Sequence, residues 1–327
     1  MNPRSSTVRI LLTSAGRRVE LLRCFRESAA QLGLDMQVFA ADMDPAMSTA
    51  CQFADRARAL PPCASDEYAD AVLALCVEEG ISLVVPTIDP ELLPLARRAE
   101  DFAGAGVTLH LSPPEMVSLC RNKLHTARAL AACGVPVPRS CALGSRGTWS
   151  AWEGPLIIKP STGSSSLGVH RCRSAAEATA LMPFQPEHCI VQELVQGDEY
   201  TVNCFFDIDG KLRCAVPHLR ISVRQGEVYK GRTTRVRVLM EAAKMLERLP
   251  SHFRGAICFQ AILSGDGARV FEINPRFGGG YPLAHHCGGS FSQWLLEELI
   301  GREPGYRDDW REGVTMLRYD QSVFLDS

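Results

Sequence analysis

The first third of the chain alternates short apolar runs with segments of helical spacing, and this alternation most constrains the fold. The apolar runs are Val8–Thr13, Met36–Ala41, Leu83–Pro86 and Val107–Leu111. Helical spacing begins at Val19 after the first run and recurs at Tyr68–Glu79 and Leu92–Ala103. Strands separated by helices of this length predict a parallel sheet built from βαβ units. We therefore expect an α/β domain over residues 1–112.

Polar residues follow three of the predicted strands, in segments 14–18, 42–44 and 87–91. The carboxyl ends of parallel strands meet at one edge of a sheet, where ligands collect. These segments could therefore bind a small-molecule partner. For Asp89 a second interpretation is equally open, in which its carboxylate only caps the helix that follows.

The pattern changes near residue 112. Ser112–Glu115 has prolines and a carboxylate in its first turn, which predicts a helix that continues to about Ala132. Beyond residue 154 strands dominate, at Leu156–Pro160, Gly168–Cys172, Cys189–Glu193, Tyr200–Asp207, Leu212–Leu219, Ala256–Leu263 and Arg269–Ile273. Helices interrupt them at Ala175–Met182, Val236–Leu249 and Phe291–Ile300. We expect a largely antiparallel α+β half, divided into segments 113–187 and 188–327.

Composition and charge exclude several classes of protein. A net charge of −2 gives no general attraction to nucleic acid. No apolar run approaches the roughly 20 residues that cross a membrane. The thirteen cysteines are odd in number, evenly scattered and without a C-x-x-C pair, so we expect reduced, mostly buried thiols. Such thiols indicate a reducing compartment, and we expect a cytoplasmic protein.

A lysine and a glycine- and serine-rich loop form the first candidate site. Lys159 lies at the end of an apolar strand, and the loop after it contains Gly163, Ser164, Ser165, Ser166 and Gly168. Backbone N–H groups, hydroxyls and a lysine charge together suit phosphate oxygens. The two glycines have the spacing of a Walker A loop, but Val169-His170 stand where that motif needs Lys-Ser/Thr. A phosphate-binding loop between two strands and a plain solvated hairpin are about equally compatible with this segment alone.

The second candidate site is the strand that ends in Glu272-Ile273-Asn274-Pro275-Arg276. Glu272 and Asn274 project from the same face, whereas Phe271 and Ile273 are predicted to point into a core. Carboxylate and amide oxygens are the ligands by which Mg²⁺ is held beside phosphates. Gln260 is predicted to face Glu272 across a hairpin, and Arg276 lies near the same anion.

The third candidate site is the strand end at Gln192-Glu193-Leu194-Val195, which precedes Gly197 and Glu199. Its main-chain groups could contact an adenine edge, and the Glu199 carboxylate could accept from ribose hydroxyls. Most strand–turn–strand connections look similar, so this segment alone is a weak signal.

In this order the three segments resemble the ATP-grasp superfamily, most closely the branch of the carbamoyl-phosphate-synthase large subunit. The resemblance covers nearly the whole chain and implies a Rossmann-like pre-ATP-grasp domain followed by the two α+β halves that clasp the nucleotide. It implies that Lys123 and Lys159 contact the phosphates of ATP, that Glu193 and the backbone near Val195 read adenine, and that Glu199 holds the ribose. It also implies that Gln260, Glu272 and Asn274 bind two Mg²⁺ ions, for which Mn²⁺ can substitute, while Arg276 holds the transferring phosphate.

The activity that the resemblance implies is ATP-dependent joining of a carboxylate to an amine through an acylphosphate. A carboxylate kinase or thiol ligase with the same site, and a non-catalytic ATP-binding partner subunit, remain as alternatives. Amino acids, uronic-acid sugars and small peptides all stay open as substrates, and a homodimer is compatible with the superfamily. A nicotinamide dehydrogenase is disfavoured, because Ser14–Arg18 does not form a G-x-G-x-x-G loop.

A basic run and a glycine-rich segment could hold the substrate. The basic run comprises Arg220, Arg224, Lys230, Arg232, Arg235 and Arg237, with Glu227 as its single acid. An exposed strand pair and an anion-binding loop both fit this run, and we assign substrate contacts to Arg220 and Lys230 only. His218 stands where such relatives often carry a basic residue. The segment Phe277–Pro282 follows the metal strand, and its glycines allow a ligand to approach the backbone closely.

Overall fold

The computed structural model describes residues 7–163, 168–186 and 188–325. Its N-terminal part is a five-stranded parallel sheet in the order β3-β2-β1-β4-β5. The strands are β1 (Val8–Thr13), β2 (Met36–Asp42), β3 (Arg56–Ala59), β4 (Leu83–Pro86) and β5 (Thr108–Leu109). The helices are α1 (Val19–Leu32), α2 (Thr49–Phe53), α3 (Tyr68–Glu79), α4 (Asp89–Ala96) and α5 (Ala99–Gly104), with a 3-10 turn at Pro45–Met47.

The parallel sheet confirms the fold expected from the alternation of strands and helices. One predicted helix, Leu92–Ala103, is instead two helices, and the first begins earlier, at Asp89. The earlier start is due to Glu91. Its buried carboxylate accepts from the backbone N–H groups of Thr87 and Ile88 and so satisfies the hydrogen-bond donors at the start of α4. The short edge strand β3 was not predicted, because its alternating arginines and alanines lack an apolar run.

The carboxyl ends of β1, β2 and β4 meet, as predicted. The Gly16 N–H donates to Asp42 Oδ2 (2.7 Å), and the Thr87 hydroxyl donates to the Ser14 carbonyl (2.7 Å). Ser14 and Tyr68 both donate to the Glu91 carboxylate, which is fully buried. These contacts fix the edge of the sheet that faces the rest of the molecule.

Two helices, α6 (Pro114–Arg121) and α7 (Lys123–Ala132), occupy the stretch predicted as one helix. The break lies at Asn122, which has an extended backbone and accepts through Oδ1 from the N–H groups of Leu124 and His125. Asn122 is therefore the N-cap of α7. The break places Lys123 at the start of a new helix, with its N–H donating to the Ser161 carbonyl (2.8 Å).

A four-stranded antiparallel sheet follows, in the order β6-β9-β7-β8. Its elements are β6 (Ser140–Ala142), α8 (Arg146–Trp149), β7 (Leu156–Pro160), β8 (His170–Cys172), α9 (Ala175–Leu181), a 3-10 turn at Met182–Phe184, and β9 (Cys189–Glu193). Buried residues such as Trp149, Leu156 and Ile158 form its core. The predicted division at residues 187–188 would separate β9 from β6 and β7, with which it pairs. Local patterns predict a strand but not its partners, which is why the division and the sheet differ.

The larger sheet is antiparallel and six-stranded, in the order β14-β13-β10-β11-β12-β15. Its strands are β10 (Asp198–Phe206), β11 (Leu212–Arg224), β12 (Glu227–Thr233), β13 (Gly255–Ser264), β14 (Gly267–Asn274) and β15 (Thr315–Leu317). Its helices are α10 (Arg237–Met245), α11 (Tyr281–Cys287) and α12 (Phe291–Leu299), with a 3-10 turn at Leu246–Arg248. The basic run therefore lies on the paired strands β11 and β12 from Arg220 to Thr233, as the strand-pair interpretation has it, but the side chain of Arg220 itself is only 6% exposed.

The two faces of the larger sheet have different roles. One face packs Val202, Phe259 and Ile273 against α7 and α10 in a continuous core. The other face carries polar side chains, including Thr201 and Gln260, and toward α11 and α12 it joins the core of the parallel domain through Phe205 and Phe277. The polar residues on the rest of this face therefore lie on strands that are packed in two hydrophobic cores.

Eleven of the thirteen cysteines are buried, as their apolar neighbours predict. Among the helices described here, none is long and apolar enough to cross a membrane.

Candidate active site

Glu272 lies on the polar face of the larger sheet, on its edge strand β14. It pairs with Gln260 of β13, so the predicted contact across this hairpin is present. Burial raises the pKa of the Glu272 carboxyl, and Lys123 and Lys159 are the main charges that oppose this rise. The two lysines come from different segments of the chain, and both are close enough to interact with this carboxylate.

The prediction that Phe271 points into the core is wrong. Opposite Gln260 stands Glu272, but opposite Ala261 stands Val270, so Phe271 is an extra residue in a β-bulge. The ring of Phe271 lies on the site side, where its centroid is 5.5 Å from Lys159 Nζ. Ile273 is buried in the core as expected. The bulge therefore adds an aromatic surface beneath a lysine of the site.

Lys159 is 7% exposed at the end of β7. Its Nζ donates to Gln192 Oε1 (2.9 Å), and Gln192 Nε2 donates in turn to the Ser140 hydroxyl (2.8 Å). Burial lowers the pKa of Lys159 to about 8, against an opposing effect of Glu272. Gln192, predicted among the nucleotide-binding residues, is placed by the structure as the side chain that orients Lys159.

Lys123 lies beside the predicted phosphate-binding loop. Its Nζ donates to the Gly163 carbonyl (2.7 Å), and burial lowers the pKa of its ammonium group. Gly168, at the far end of the loop, has a left-handed backbone (φ 69°) that favours glycine. The predicted residues Ser164, Ser165 and Ser166 lie outside the described residues.

Arg276 connects the two parts of the molecule. Its Nη2 and Nε donate to the two carboxylate oxygens of Asp89, at 2.7 and 3.2 Å, and Nη2 also reaches Asn274 Oδ1 (3.3 Å). Burial acts to lower the pKa of Arg276, but the Asp89 carboxylate raises it above its ordinary value. Asp89 thus does more than begin α4: it holds the guanidinium next to Asn274. Sequence reasoning assigned Asp89 no such partner, because the two residues lie 187 positions apart.

Arg220 lies on the same face as Gln260. Its Nε is 2.9 Å from Glu199 Oε1, and its Nη1 donates to the Thr201 hydroxyl (3.1 Å). The Gln260 amide satisfies both of its neighbours when Nε2 donates to Glu272 Oε2 (2.9 Å) and Oε1 accepts from Arg220 Nη1 (3.1 Å). The structure therefore joins Glu199, Arg220 and two of the three predicted metal ligands, Gln260 and Glu272, in one hydrogen-bonded row.

His218 and Lys230 lie near Arg220 along the strands, but neither offers a positive charge on its face of the sheet. His218 is fully buried, and burial, together with Arg220 and Arg318, lowers its pKa to about 3, so the imidazole is neutral. Lys230 is exposed and pairs with Ser222, whereas its neighbour Gly231 pairs with Arg220. Adjacent residues of a strand point to opposite faces, so the structure does not bring Lys230 to the face of Arg220.

The predicted adenine-reading segment lies at the end of β9. Glu193 accepts from Arg139 Nε (2.7 Å), and the Leu194 N–H donates to the Pro155 carbonyl (3.0 Å). Val195 is half-buried in the connection to β10. The segment is thereby anchored to the smaller sheet, and Arg139 is a contact that no sequence pattern indicated.

The donor set around Glu272 suits a magnesium ion. Glu272 and Asn274 supply hard oxygens, the type that Mg²⁺ prefers. The half-buried Glu272 carboxylate has Lys123, Lys159 and Arg276 nearby but no direct ion pair among the residues that the structure describes. In the orientation that satisfies both neighbours, the Gln260 oxygen accepts from Arg220, as Asn274 Oδ1 accepts from Arg276.

Two family models match the chain. Residues 10–110 match the PylC-like N-terminal domain, and residues 120–280 match the ATP-grasp domain. The chain is 31% identical over 97 residues to the D-alanine–D-alanine ligase of Marinobacter nauticus, a match covering 28% of this chain and 30% of that ligase. It spans between 22% and 37% of the length of the curated relatives that it matches.

Solved structures share the fold across most of the chain. One is the biotin carboxylase domain of Hydrogenobacter thermophilus 2-oxoglutarate carboxylase, in complex with MgADP, ADP and bicarbonate. Its TM-score is 0.73 at 17% identity, covering 94% of this chain and 73% of that one. Another is L-amino acid ligase from Bacillus licheniformis, with a TM-score of 0.69 at 19% identity, covering 94% and 78%. At these identities the similarity concerns the fold.

Proposed function

Since the chain is an ATP-grasp protein with a PylC-like N-terminal domain, we propose that it is an ATP- and Mg²⁺-dependent ligase that joins a carboxylate to an amine through an acylphosphate. One observation carries the proposal: Lys123, Lys159 and Arg276, from three separate segments, all act on the half-buried carboxylate of Glu272. Phosphoryl transfer depends mainly on positioning and on neutralising the charge of the phosphate oxygens. Three cations around one metal-binding carboxylate are suited to that task.

In this proposal ATP lies between the two antiparallel sheets. Lys123, Lys159 and the loop from Gly163 to Gly168, including Ser164, Ser165 and Ser166, contact its phosphates. Glu193, Leu194 and Val195 contact adenine, and Glu199 holds the ribose. The ion pair between Glu199 and Arg220 supports the last role, because Arg220 holds this carboxylate in a fixed orientation.

Glu272 and Asn274 would hold Mg²⁺, which neutralises phosphate charge when bound. Gln260 would complete the site if its amide turned its oxygen toward Glu272. As an uncharged ligand it would bind a second ion weakly, so the presence of two ions, and the substitution of Mn²⁺, are part of the proposal. The sequence-based role of Arg276 is retained, because Asp89 fixes its guanidinium beside Asn274.

The chemistry balances in two steps. A substrate carboxylate oxygen attacks the γ-phosphorus of ATP, the bond to the β,γ-bridging oxygen breaks, and ADP leaves. The amine nitrogen then attacks the acyl carbon, phosphate leaves with the bonding electron pair, and the nitrogen loses a proton. Lys159 and Arg276 would stabilise the transferring group, and a closed loop over it would exclude water. Neither step requires a nucleophilic side chain of the protein.

The test is ADP release from Mg²⁺·ATP with pooled carboxylates, in the presence of hydroxylamine as a general nucleophile. We expect ADP release that depends on a carboxylate and is matched by hydroxamate formation. Hydroxamate formed with hydroxylamine but no amide product with any amine would favour the carboxylate kinase alternative. Tight binding of Mg²⁺·ATP without ADP release from any pool would contradict the ligase and favour a non-catalytic subunit.

A further inference from the structure

A second charged cluster, separate from the one around Glu272, lies where the parallel domain meets the larger sheet. We call it the arginine cluster, and it consists of Arg17, Arg18, Glu227 and Arg318. Arg18 Nη1 is 2.8 Å from Glu227 Oε1, Arg318 Nη1 is 3.1 Å from Oε2, and Arg17 Nη2 is 3.6 Å from Oε2. Three guanidinium groups therefore share a single carboxylate, which leaves an excess of positive charge.

The inner part of the arginine cluster is partly buried. Arg18, Glu227 and Arg318 expose 16%, 20% and 27% of their side chains, whereas Arg17 is 54% exposed at the edge. Burial lowers the pKa of the Arg18 guanidinium, and Arg276 and the other two arginines lower it further, against the effect of Glu227. One carboxylate is thus less negative charge than the partly buried cations beside it carry.

The arginine cluster opens into a cavity of about 740 Å³. This volume lies in the range of small-molecule sites, roughly 300–1,000 Å³. The other charged pairs along its wall are balanced: Arg23 pairs with Glu20, and Arg224 pairs with Asp320. Apolar side chains complete the lining, among them Phe53, Leu283, Val314 and Met316. The cavity therefore combines one cationic end with an apolar wall.

The cavity reaches the segment that follows β14. Gly278 and Gly279 line it, and Phe277 separates them from Arg276 along the chain. The Gly279 carbonyl accepts from Arg318 Nη2. A Cβ atom at Gly279 would lie 2.7 Å from the Glu227 carboxylate and 2.9 Å from Arg18 Nη1, so only glycine lets the arginine cluster close against this backbone.

We propose that this cavity binds a ligase substrate through a carboxylate that does not react, held by Arg18 and Arg318. The inference rests on the proposed function and names the substrate class: a carboxylic or amino acid with a second, spectator carboxylate and an apolar body. The planar fork of a guanidinium matches a carboxylate with two parallel hydrogen bonds. An amine or acid without a spectator carboxylate leaves the positive excess of the arginine cluster unpaired.

The first experiment uses isothermal titration with the full chain in the presence of Mg²⁺·ADP. The probes are α-amino acids and dicarboxylic acids of three to six carbons, each paired with its mono-carboxamide, together with inorganic phosphate. We expect at least one carboxylate probe to bind, and its carboxamide to bind about tenfold to a hundredfold more weakly. Binding of phosphate alone, equal binding of acid and amide, or no binding by any acid would overturn the inference.

The second experiment assigns the binding to the arginines. Arg18→Gln and Arg318→Gln should each weaken the probe about tenfold or more, while the affinity for Mg²⁺·ATP stays unchanged. Arg18→Lys, which keeps the charge but loses the fork, should fall between Arg18→Gln and the wild type, and melting temperatures establish that each variant is folded. Arg23→Gln is the matched control, because Arg23 lines the same cavity but already pairs with Glu20. Unchanged probe affinity in both glutamine variants would overturn the inference.

The two proposals fail in different ways. If hydroxamate forms but the affinity for the probe does not depend on Arg18 and Arg318, the ligase proposal stands and the carboxylate subsite is wrong. If the probe binds through these arginines but no carboxylate releases ADP from ATP, the subsite stands as a binding site and the ligase reaction is wrong.

Discussion

The cluster around Glu272 and the arginine cluster both gather cations from distant parts of the chain around one carboxylate, but they are organised differently. In the first, Lys159 has Gln192, Lys123 has the Gly163 carbonyl and Arg276 has Asp89. In the second, Arg17, Arg18 and Arg318 all contact the one carboxylate of Glu227, and the further partners of Arg17 and Arg318, Gln225 Oε1 and the Gly279 carbonyl, are uncharged.

This difference indicates different tasks. Cations with partners of their own are held in place before a ligand arrives, which is what phosphoryl transfer requires. Cations that share one carboxylate leave charge for a ligand to neutralise.

Glu272→Gln should reduce ADP formation by a hundredfold or more, on the order of the loss caused by removing one major electrostatic contact in an active site. Burial raises the pKa of Glu272, so the carboxylate destabilises the folded chain at neutral pH, and the variant should unfold at the wild-type temperature or above it. Steady-state kinetics with Mg²⁺ titration and calorimetry measure both quantities. Glu241→Gln, on the exposed side of α10, serves as the control. Unchanged ADP formation would refute the metal assignment.

Asp89→Asn should lower the free energy of unfolding by about 3–5 kcal/mol, because it leaves the buried Arg276 without its anion. In the double variant Asp89→Asn/Arg276→Gln much of this loss should be recovered, since no unpaired charge remains. Urea unfolding of both single variants and the double variant completes the cycle. Additive effects would show that the two parts of the molecule are not joined through this ion pair.

Lys159→Met should weaken ATP binding by about tenfold to a hundredfold, because a buried charge-assisted contact to phosphate is lost. With a pKa of about 8, Lys159 loses its proton above that pH, so the wild-type affinity should fall about tenfold between pH 7 and pH 9. The free energy of unfolding should rise from pH 8 toward the ordinary lysine pKa, because there the unfolded chain binds more protons than the folded one. Across this range titration calorimetry should show the change in affinity and urea unfolding the change in stability, and the methionine variant should lose both. A wild-type affinity that stays constant from pH 7 to pH 9 would contradict the role of Lys159.

Lys230→Gln should change turnover by less than about twofold, since Lys230 is exposed and lies on the opposite face of the sheet from Arg220. Arg220→Gln should have the larger effect, because it releases Glu199, Thr201 and Gln260 together. Measuring the turnover of both variants under the same conditions distinguishes an arginine that belongs to the site from a lysine on the charged surface. A strong loss of turnover in Lys230→Gln would restore the role that the sequence assigned to it.

Several features of the nucleotide site could be predicted because they are local. The alternation of residues along β14 placed Glu272 and Asn274 on one face, and the apolar strand before Lys159 placed that lysine at a strand end. The inserted residue Phe271 could not be predicted in the same way, because a bulge depends on the register with β13. The strand that carries Gln192 was predicted, but the hydrogen bond by which Gln192 orients Lys159 was not, since Lys159 is on another strand.

The sequence by itself determined the parallel sheet, the antiparallel half and the order of the motifs, because periodicity and turn chemistry act within a few residues. Only the tertiary structure decided that Asp89 holds Arg276, and that Arg18 and Arg318 meet at Glu227. These contacts join segments more than 90 residues apart. Contacts between distant side chains depend on sheet register and on how the two cores pack. Neither can be inferred from a local sequence pattern.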